Sequence, residues 1–436
     1  MKSNKYTVPF AIITSLFFLW GFITVLVDSL IPRLKDVFEL SYFQAGLVQF
    51  AFFLAYLLLS IPAGLILTRI GYQKGVVLGL STMAIACLLF YPAAGERIFG
   101  LFMLAYFTLA GGMTILQVAA NPYVAVLGPE SKASSRLNLA QAFNSVGTTI
   151  APIAGAAFLL SDTIKTQAEI DALGGAAQMD YYIAEASAVQ APFLWLAAAI
   201  GLLVLFFILV PLPKIIKDHP QGSYKEVLRN KKTLLGALGI FLYVGAEVAI
   251  GSYLVSYFLD MNLVEPIRES AFMNSIASVF SGGNLQEIDG KAVVGSFVFI
   301  YWGGAMLGRF IGSLLTNVLA PGKVLAGFAI MAVLMVVISM STTGLVSMFA
   351  ILSVGLFNSI IFPTIFSLTL EGQGDLKPRI SGVLCTAIFG GALISPLFGA
   401  LADGLGFKLA FLLPIACYGY VWWFARRKNT ETIVPS

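Results

Sequence analysis

Charge is what this sequence is short of. Of its 436 residues only 11% are charged, while 58% are apolar; a water-soluble chain of this length carries roughly a quarter of its residues as charges. Histidine occurs once, as His219, and cysteine three times, as Cys87, Cys385 and Cys417, each within an apolar stretch. These scarcities exclude whole classes of chemistry. Neither a disulfide framework nor a metal-ligand spacing can be written from so few cysteines and one histidine. There is no His pair, no Cys–His arrangement and no nucleotide-binding loop, so nothing supports an enzyme or a bound cofactor. The net charge of +4 gives no support to a nucleic-acid partner.

Long apolar runs are what the chain has instead. A bilayer core of about 30 Å takes roughly 20 apolar residues as a helix, and only helices and closed barrels satisfy their backbones in lipid. The runs are continuous, not alternating, which excludes the barrel. Twelve spans are expected, over 8–31, 43–68, 75–94, 98–127, 137–160, 191–212, 233–259, 292–316, 321–341, 344–370, 379–402 and 406–425. The first is too long for a signal peptide, and Asp28 and Pro32 stand where small cleavage-site residues belong. With twelve spans both termini share one side. Nineteen of the 26 Lys and Arg residues fall on that side and seven on the other, which places both termini in the cytoplasm by the positive-inside rule. The stretches 161–190 and 260–291 then become long outer loops.

The basic segment 213–232, with Lys214, Lys217, Lys225, Arg229, Lys231 and Lys232, divides the chain into two six-span halves, 1–212 and 233–436. The halves share a plan. GLILTRIG near the end of span two places Gly64 five residues before Arg69; GAMLGRFIG in span eight places Gly304 five before Arg309. Gln117 precedes Pro122 by five, as Asn358 precedes Pro363, and the Gly147, Pro152, Gly155 spacing returns as Gly391, Pro396, Gly399. The offsets are 240, 241 and 244 residues. Parallel six-helix repeats mark the major facilitator architecture, whose solute site lies between the halves near the bilayer midplane. The expected fold is therefore an all-α membrane protein of twelve transmembrane helices in two pseudo-symmetric six-helix bundles. Arg69 and Arg309 are expected to bond the carbonyls of a neighbouring helix.

Ionisable groups at membrane depth are costly and point to function. Of 22 acidic residues only Asp28 and Glu247 fall within spans. Asp28 shares a face with Thr24 and Gly21, and Glu247 shares one with Tyr243 and Gly251. The plainer reading of Asp28 is a carboxylate wetted at the outer end of its span. Amides are concentrated in spans four and five. Gln117 and Asn121 lie four apart ahead of Pro122, which has no N–H and so frees a carbonyl. Asn138, Gln141, Ser145 and Thr148 form one stripe, with Asn144 beside it. A few such residues glue helices together; a stripe this dense suggests a hydrated cavity wall suited to a hydroxyl-rich solute. Trp20, Tyr243, Phe357 and Trp302 are candidate faces for a sugar ring.

The strings ILQVAANPYVAVLG (115–128), LNLAQAFNSVGTTIAPIAG (137–155), FLYVGAE (241–247) and FNSIIFPTIFSL (357–368) resemble the fucose permease family of the major facilitator superfamily. Over nearly the whole chain the sequence is most similar to its bacterial glucose/galactose transporter branch. The resemblance implies hexose uptake by cation symport across a bacterial inner membrane, by a protein working as a monomer. Asp28 matches the family's helix-one carboxylate, Gln141 and Asn144 match its cavity-lining amides, and Gln117 stands where the fucose permease has a titrating glutamate. Thr68 occupies a loop position at which the superfamily usually has an acid.

Two coupling schemes follow. Asp28 takes up a proton, or it stays ionised and ligates Na⁺ together with oxygens of Gln117, Asn121 or Thr24; Glu247 is the substitute carboxylate. Hard cations choose oxygen donors, and an amide in place of a glutamate suits Na⁺, as does the resemblance to the glucose/galactose branch. The expected substrate contacts are Gln117, Asn121, Gln141, Asn144, Tyr243, Glu247, Asn358 and Trp20. A fucose or N-acetylglucosamine symporter, an exporter or a uniporter are the alternatives on the same fold.

Overall fold

In the computed structural model the chain is described over residues 4–38, 42–96, 98–159, 172–214, 222–281 and 288–431, and among these there are helices and no strands. The helices are α1 (Asn4–Phe38), α2 (Tyr42–Gly95), α3 (Phe99–Val126), α4 (Ala133–Leu159), α5 (Gly175–Leu209), α6 (Tyr224–Arg229), α7 (Lys231–Asp260), α8 (Val264–Glu269), α9 (Ala271–Ser281), α10 (Gly290–Gly295), α11 (Val298–Val318), α12 (Pro321–Ser341), α13 (Gly344–Asn358), α14 (Ile361–Leu370), α15 (Lys377–Thr386), α16 (Gly390–Leu405), α17 (Phe407–Ala410) and α18 (Leu412–Glu431). All twelve expected spans fall on this framework.

The joints between spans follow from local chemistry. Spans two and three were expected to be separated by a short loop over 69–74. The joint is shorter than that: α2 is two helices meeting at a kink at Gly71, whose φ of 80° and ψ of 171° leave the helical region. Without a Cβ, glycine enters that region at little steric cost. Helix α7 begins at an N-cap, where Asn230 Oδ1 accepts from Thr233 N at 3.3 Å. Pro321 starts α12 at a position where its missing N–H costs nothing. Spans eight, ten, eleven and twelve are each broken into two helices, at 296–297, 359–360, 387–389 and Phe411.

The stretches expected as outer loops are more ordered than that reading allowed. Helix α5 begins at Gly175, and 260–291 holds α8, α9 and the start of α10. Two interactions explain the second case. Met273 and Ala277, one turn apart on α9, are buried, and Arg268 pairs with Glu265 at 2.8 Å while donating to Ile288 O at 2.8 Å. Residues 160–171 and 282–287 lie outside the described residues.

Contacts divide the chain into two compact units. Unit 1 comprises 1–128, 143–229 and 372–386; unit 2 comprises 129–142, 230–371 and 387–436. Each unit thus takes in one short segment from the other half of the sequence. In unit 1, Tyr224 of α6 donates to Ile61 O at 2.8 Å and pins the basic segment against α2. In unit 2, Ser135 Oγ donates to Ser313 O at 2.8 Å and Ser313 Oγ donates back to Ser135 O at 3.0 Å, a reciprocal clasp of α4 on α11.

Candidate functional site

Unit 2 gathers a buried polar cluster from three spans. Helix α7 presents Tyr243 and, one turn on, Glu247; α11 presents Tyr301 and Arg309; Asn358 closes α13. Tyr243 is 1% exposed and Asn358 wholly buried. The cluster forms around a broken helix. Pro363 has no N–H, so in span ten the carbonyl of Ser359, four residues earlier, loses its helical donor. Arg309 Nε supplies a replacement at 3.2 Å, the carbonyl bond expected of it. Beside it the Asn358 carbonyl accepts from the Tyr243 hydroxyl at 2.9 Å. Glu247 lies close enough to Tyr243 and Arg309 to interact electrostatically with both.

Asn358 faces two phenols, Tyr301 and Tyr418. The Tyr301 hydroxyl donates its single proton to Glu247 O at 3.3 Å, so it must accept from Asn358 Nδ2, which lies 2.7 Å away. The other end of that amide, Asn358 Oδ1, has no hydrogen-bond partner among the described residues although the side chain is fully buried. An acceptor left open in an apolar interior costs about 1–3 kcal/mol, a cost that a solute hydroxyl or a cation arriving there would remove.

Unit 1 repeats the arrangement in part. Pro122 frees Val118 O as Pro363 frees Ser359 O, and here Ser381 Oγ donates at 2.8 Å. Asn144 Nδ2 donates to Phe17 O at 2.9 Å, which fixes its amide, since a carbonyl only accepts. Gln117 bonds the Tyr56 hydroxyl at 2.8 Å. A phenol both donates and accepts, so that amide can be turned either way. Asn121 is wholly buried and Gln141, which belongs to unit 2, is 8% exposed. Thr24 lies 3.9 Å from Met113 Sδ. Trp20 is buried with its ring edge-on to Phe17, centroids 5.6 Å apart.

Other donors of the expected polar stripe bond protein groups, while Asn138 Oδ1 is buried and has no hydrogen-bond partner among the described residues. Asn138, in unit 2, donates to Thr316 and Thr364 hydroxyls at 3.4 and 3.3 Å, while Thr148 and Thr149 both donate to Ser145 O within their own helix. Of the ring platforms, Phe357 packs on Phe328 and Trp302 packs edge-on against Tyr301 while remaining 48% exposed. Asp28 lies in α1, but its side chain falls outside the described residues, so no contact can be assigned to it.

Sequence reasoning missed Tyr56 and Tyr301, the phenols that hold Gln117 and Asn358. Nothing local marks either one; Tyr301 adjoins Trp302, whose ring drew the attention. No group of three or more His, Cys, Asp or Glu capable of holding a metal occurs among the described residues.

Residues 10–396 match the Major Facilitator Superfamily. The chain is 46% identical over 423 residues to a glucose/galactose transporter of Brucella abortus, covering 96% of this chain and 94% of that one. It is 34% identical over 446 residues to the L-fucose-proton symporter of Escherichia coli, covering 99% and 95%. A crystal structure of the E. coli fucose:proton symporter superimposes with a TM-score of 0.86 at 32% identity, covering 98% of this chain and 99% of that one.

Proposed function

This chain belongs to the major facilitator superfamily, with the twelve-helix fold of its fucose permease family, and we propose that it imports a hexose such as glucose or galactose by cation symport. One observation carries the reading. Buried among apolar side chains, Asn358 has its N–H end anchored by Tyr301 and its oxygen end without a hydrogen-bond partner among the described residues. Such a group accepts hydrogen bonds, and a sugar ring offers hydroxyl donors around its rim. Gln117, Asn121, Gln141, Asn144, Tyr243, Glu247 and Trp20 complete the proposed contacts.

Alternating access needs a cation and a sugar that each favour the same reorienting state, because a ligand shifts an equilibrium only through differential affinity. Asp28 is the proposed coupling carboxylate and Glu247 its possible substitute. Carboxylate and amide oxygens, with the Thr24 hydroxyl, form a donor set suited to Na⁺. Inward movement of one charge gains about 2.3 kcal/mol per 100 mV. Proton coupling is the second reading, favoured by the E. coli relative that is named a proton symporter.

The proposed setting is a bacterial inner membrane, with both termini in the cytoplasm and the protein working as a monomer. Two stacked pairs near the end of α18, Arg426 over Trp422 at 5.5 Å and Arg427 over Trp423 at 5.8 Å, support a membrane–water boundary there, where aromatic belts and cationic side chains collect. The deciding experiment is uptake in proteoliposomes, comparing glucose, galactose, fucose and N-acetylglucosamine under imposed Na⁺ or H⁺ gradients. Accumulation of glucose or galactose driven by Na⁺ supports the reading; accumulation driven by H⁺ alone moves it to the proton scheme; equilibration without accumulation makes the protein a uniporter.

A further inference from the structure

A cavity of about 440 Å³ opens in unit 1 where α2 breaks at Gly71 and α5 ends. Its polar lining is cationic. Arg69, Lys74 and Lys214 all border it, and among the described residues no carboxylate does. All three cations are exposed, and none makes an ion pair with a described residue. The first turn after the break, Tyr72, Gln73 and Lys74, also lines it; amides in a first helical turn have no carbonyl one turn back to bond.

The cavity wall is built, not incidental. Gln73 Nε2 donates to Phe207 O at 2.8 Å and to Val210 O at 3.0 Å, while its Oε1 accepts from Leu212 N at 3.0 Å. One side chain thereby holds the end of α5 and the segment after it against α2. From the cavity's edge an apolar track runs back along α5. Leu202, Leu205 and Leu209 are 69%, 51% and 69% exposed, and their three- and four-residue spacing puts them on one face.

We propose that this cavity binds an anionic phospholipid, its phosphate headgroup among Arg69, Lys74 and Lys214 and an acyl chain along Leu202, Leu205 and Leu209. Three cations with no acid among them favour an anion, and the adjoining leucines distinguish a lipid from a soluble phosphate. Basic pockets between transmembrane helices at the cytoplasmic face bind anionic headgroups by this combination. The assignment is independent of which solute is carried.

The test is native mass spectrometry of the detergent-purified full chain with added phosphatidylglycerol, phosphatidylcholine or inorganic phosphate. Wild type should retain phosphatidylglycerol in preference to phosphatidylcholine. Lys74→Gln/Lys214→Gln should weaken that retention on the order of tenfold or more, and Lys74→Arg/Lys214→Arg should restore it. Lys225→Gln/Lys323→Gln, which removes the same charge outside the cavity, should bind as wild type does and shows that charge loss by itself is not the cause. Equal retention by the glutamine pair and wild type would overturn the assignment, as would equal retention of the two lipids. Inorganic phosphate displacing the bound lipid at matched concentration would reassign the cavity to a free anion and also overturn it.

Discussion

Ser381 Oγ donates at 2.8 Å to Val118 O, the carbonyl that Pro122 leaves without its helical donor. The two residues are 263 positions apart in sequence, and the bond carries the segment 372–386 onto α3 within unit 1. Unit 2 meets the same vacancy with a stronger donor, since Arg309 Nε reaches Ser359 O behind Pro363. A proline that opens a helix thus creates an acceptor that recruits a distant side chain, once in each half.

Removing that donor should cost stability. Ser381→Ala leaves Val118 O buried without a partner, and a loss of about 1–3 kcal/mol is expected, read as a lower thermal midpoint in detergent. Ser353→Ala is the matched control, because among the described residues Ser353 Oγ bonds only Phe349 O in its own helix, and should be close to neutral. Equal midpoints for the two variants would show that Ser381 contributes nothing through this bond.

The Tyr301–Asn358 pair yields a prediction about binding. Asn358→Ala removes the open acceptor, and Tyr301→Phe removes an anchor of the amide. Loss of one solute hydrogen bond corresponds to about 0.5–1.5 kcal/mol, so sugar KM should rise several-fold up to roughly tenfold in both, more in Asn358→Ala. Transport assays with an unchanged KM in Asn358→Ala would remove Asn358 from the sugar contacts.

Helix contact at the same place depends on one hydrogen atom. A Cβ added at Gly355 would lie 2.7 Å from the carbonyl carbon of Tyr301, so α13 touches the backbone of α11 where any other residue would push it away. Gly355→Ala should destabilise by about 1–3 kcal/mol through overpacking and weaken the Tyr301–Asn358 bond with it. Gly303→Ala, where a Cβ would meet nothing within 4 Å, should be tolerated; thermal midpoints of both variants make the comparison.

Asp28→Asn addresses coupling. The amide neither titrates nor carries charge, so the expected outcome is loss of concentrative uptake with counterflow exchange at least partly kept. Normal accumulation by this variant would transfer the coupling role to another group, Glu247 first.

What could be read from sequence divides along a physical line. Span lengths, the repeat about 213–232 and the carbonyls freed by Pro122 and Pro363 are local properties, and each is visible in a stretch shorter than a helix. The donors that fill those carbonyls are not local; Ser381 and Arg309 reach theirs only through the packed fold. The same limit explains the amides. Asn138 and Asn144 look alike on a helical wheel, yet Asn138 donates to two threonine hydroxyls and Asn144 to the carbonyl of Phe17. What each amide is anchored to is decided by the neighbouring helix. The short helices of 260–291 depend in part on contacts that no local stretch shows, since Arg268 bonds the carbonyl of Ile288, twenty residues on, beside the local burial of Met273 and Ala277.

Gly71 has a consequence for how the protein is made and how it moves. With one residue as the whole joint, spans two and three form a hairpin without slack. Neither arm can enter the bilayer far ahead of the other during synthesis, so the two should integrate as a pair. Once in place, a tilt of one arm is handed directly to the other, and lengthening this joint with a few flexible residues would uncouple two levers that the native chain obliges to swing together.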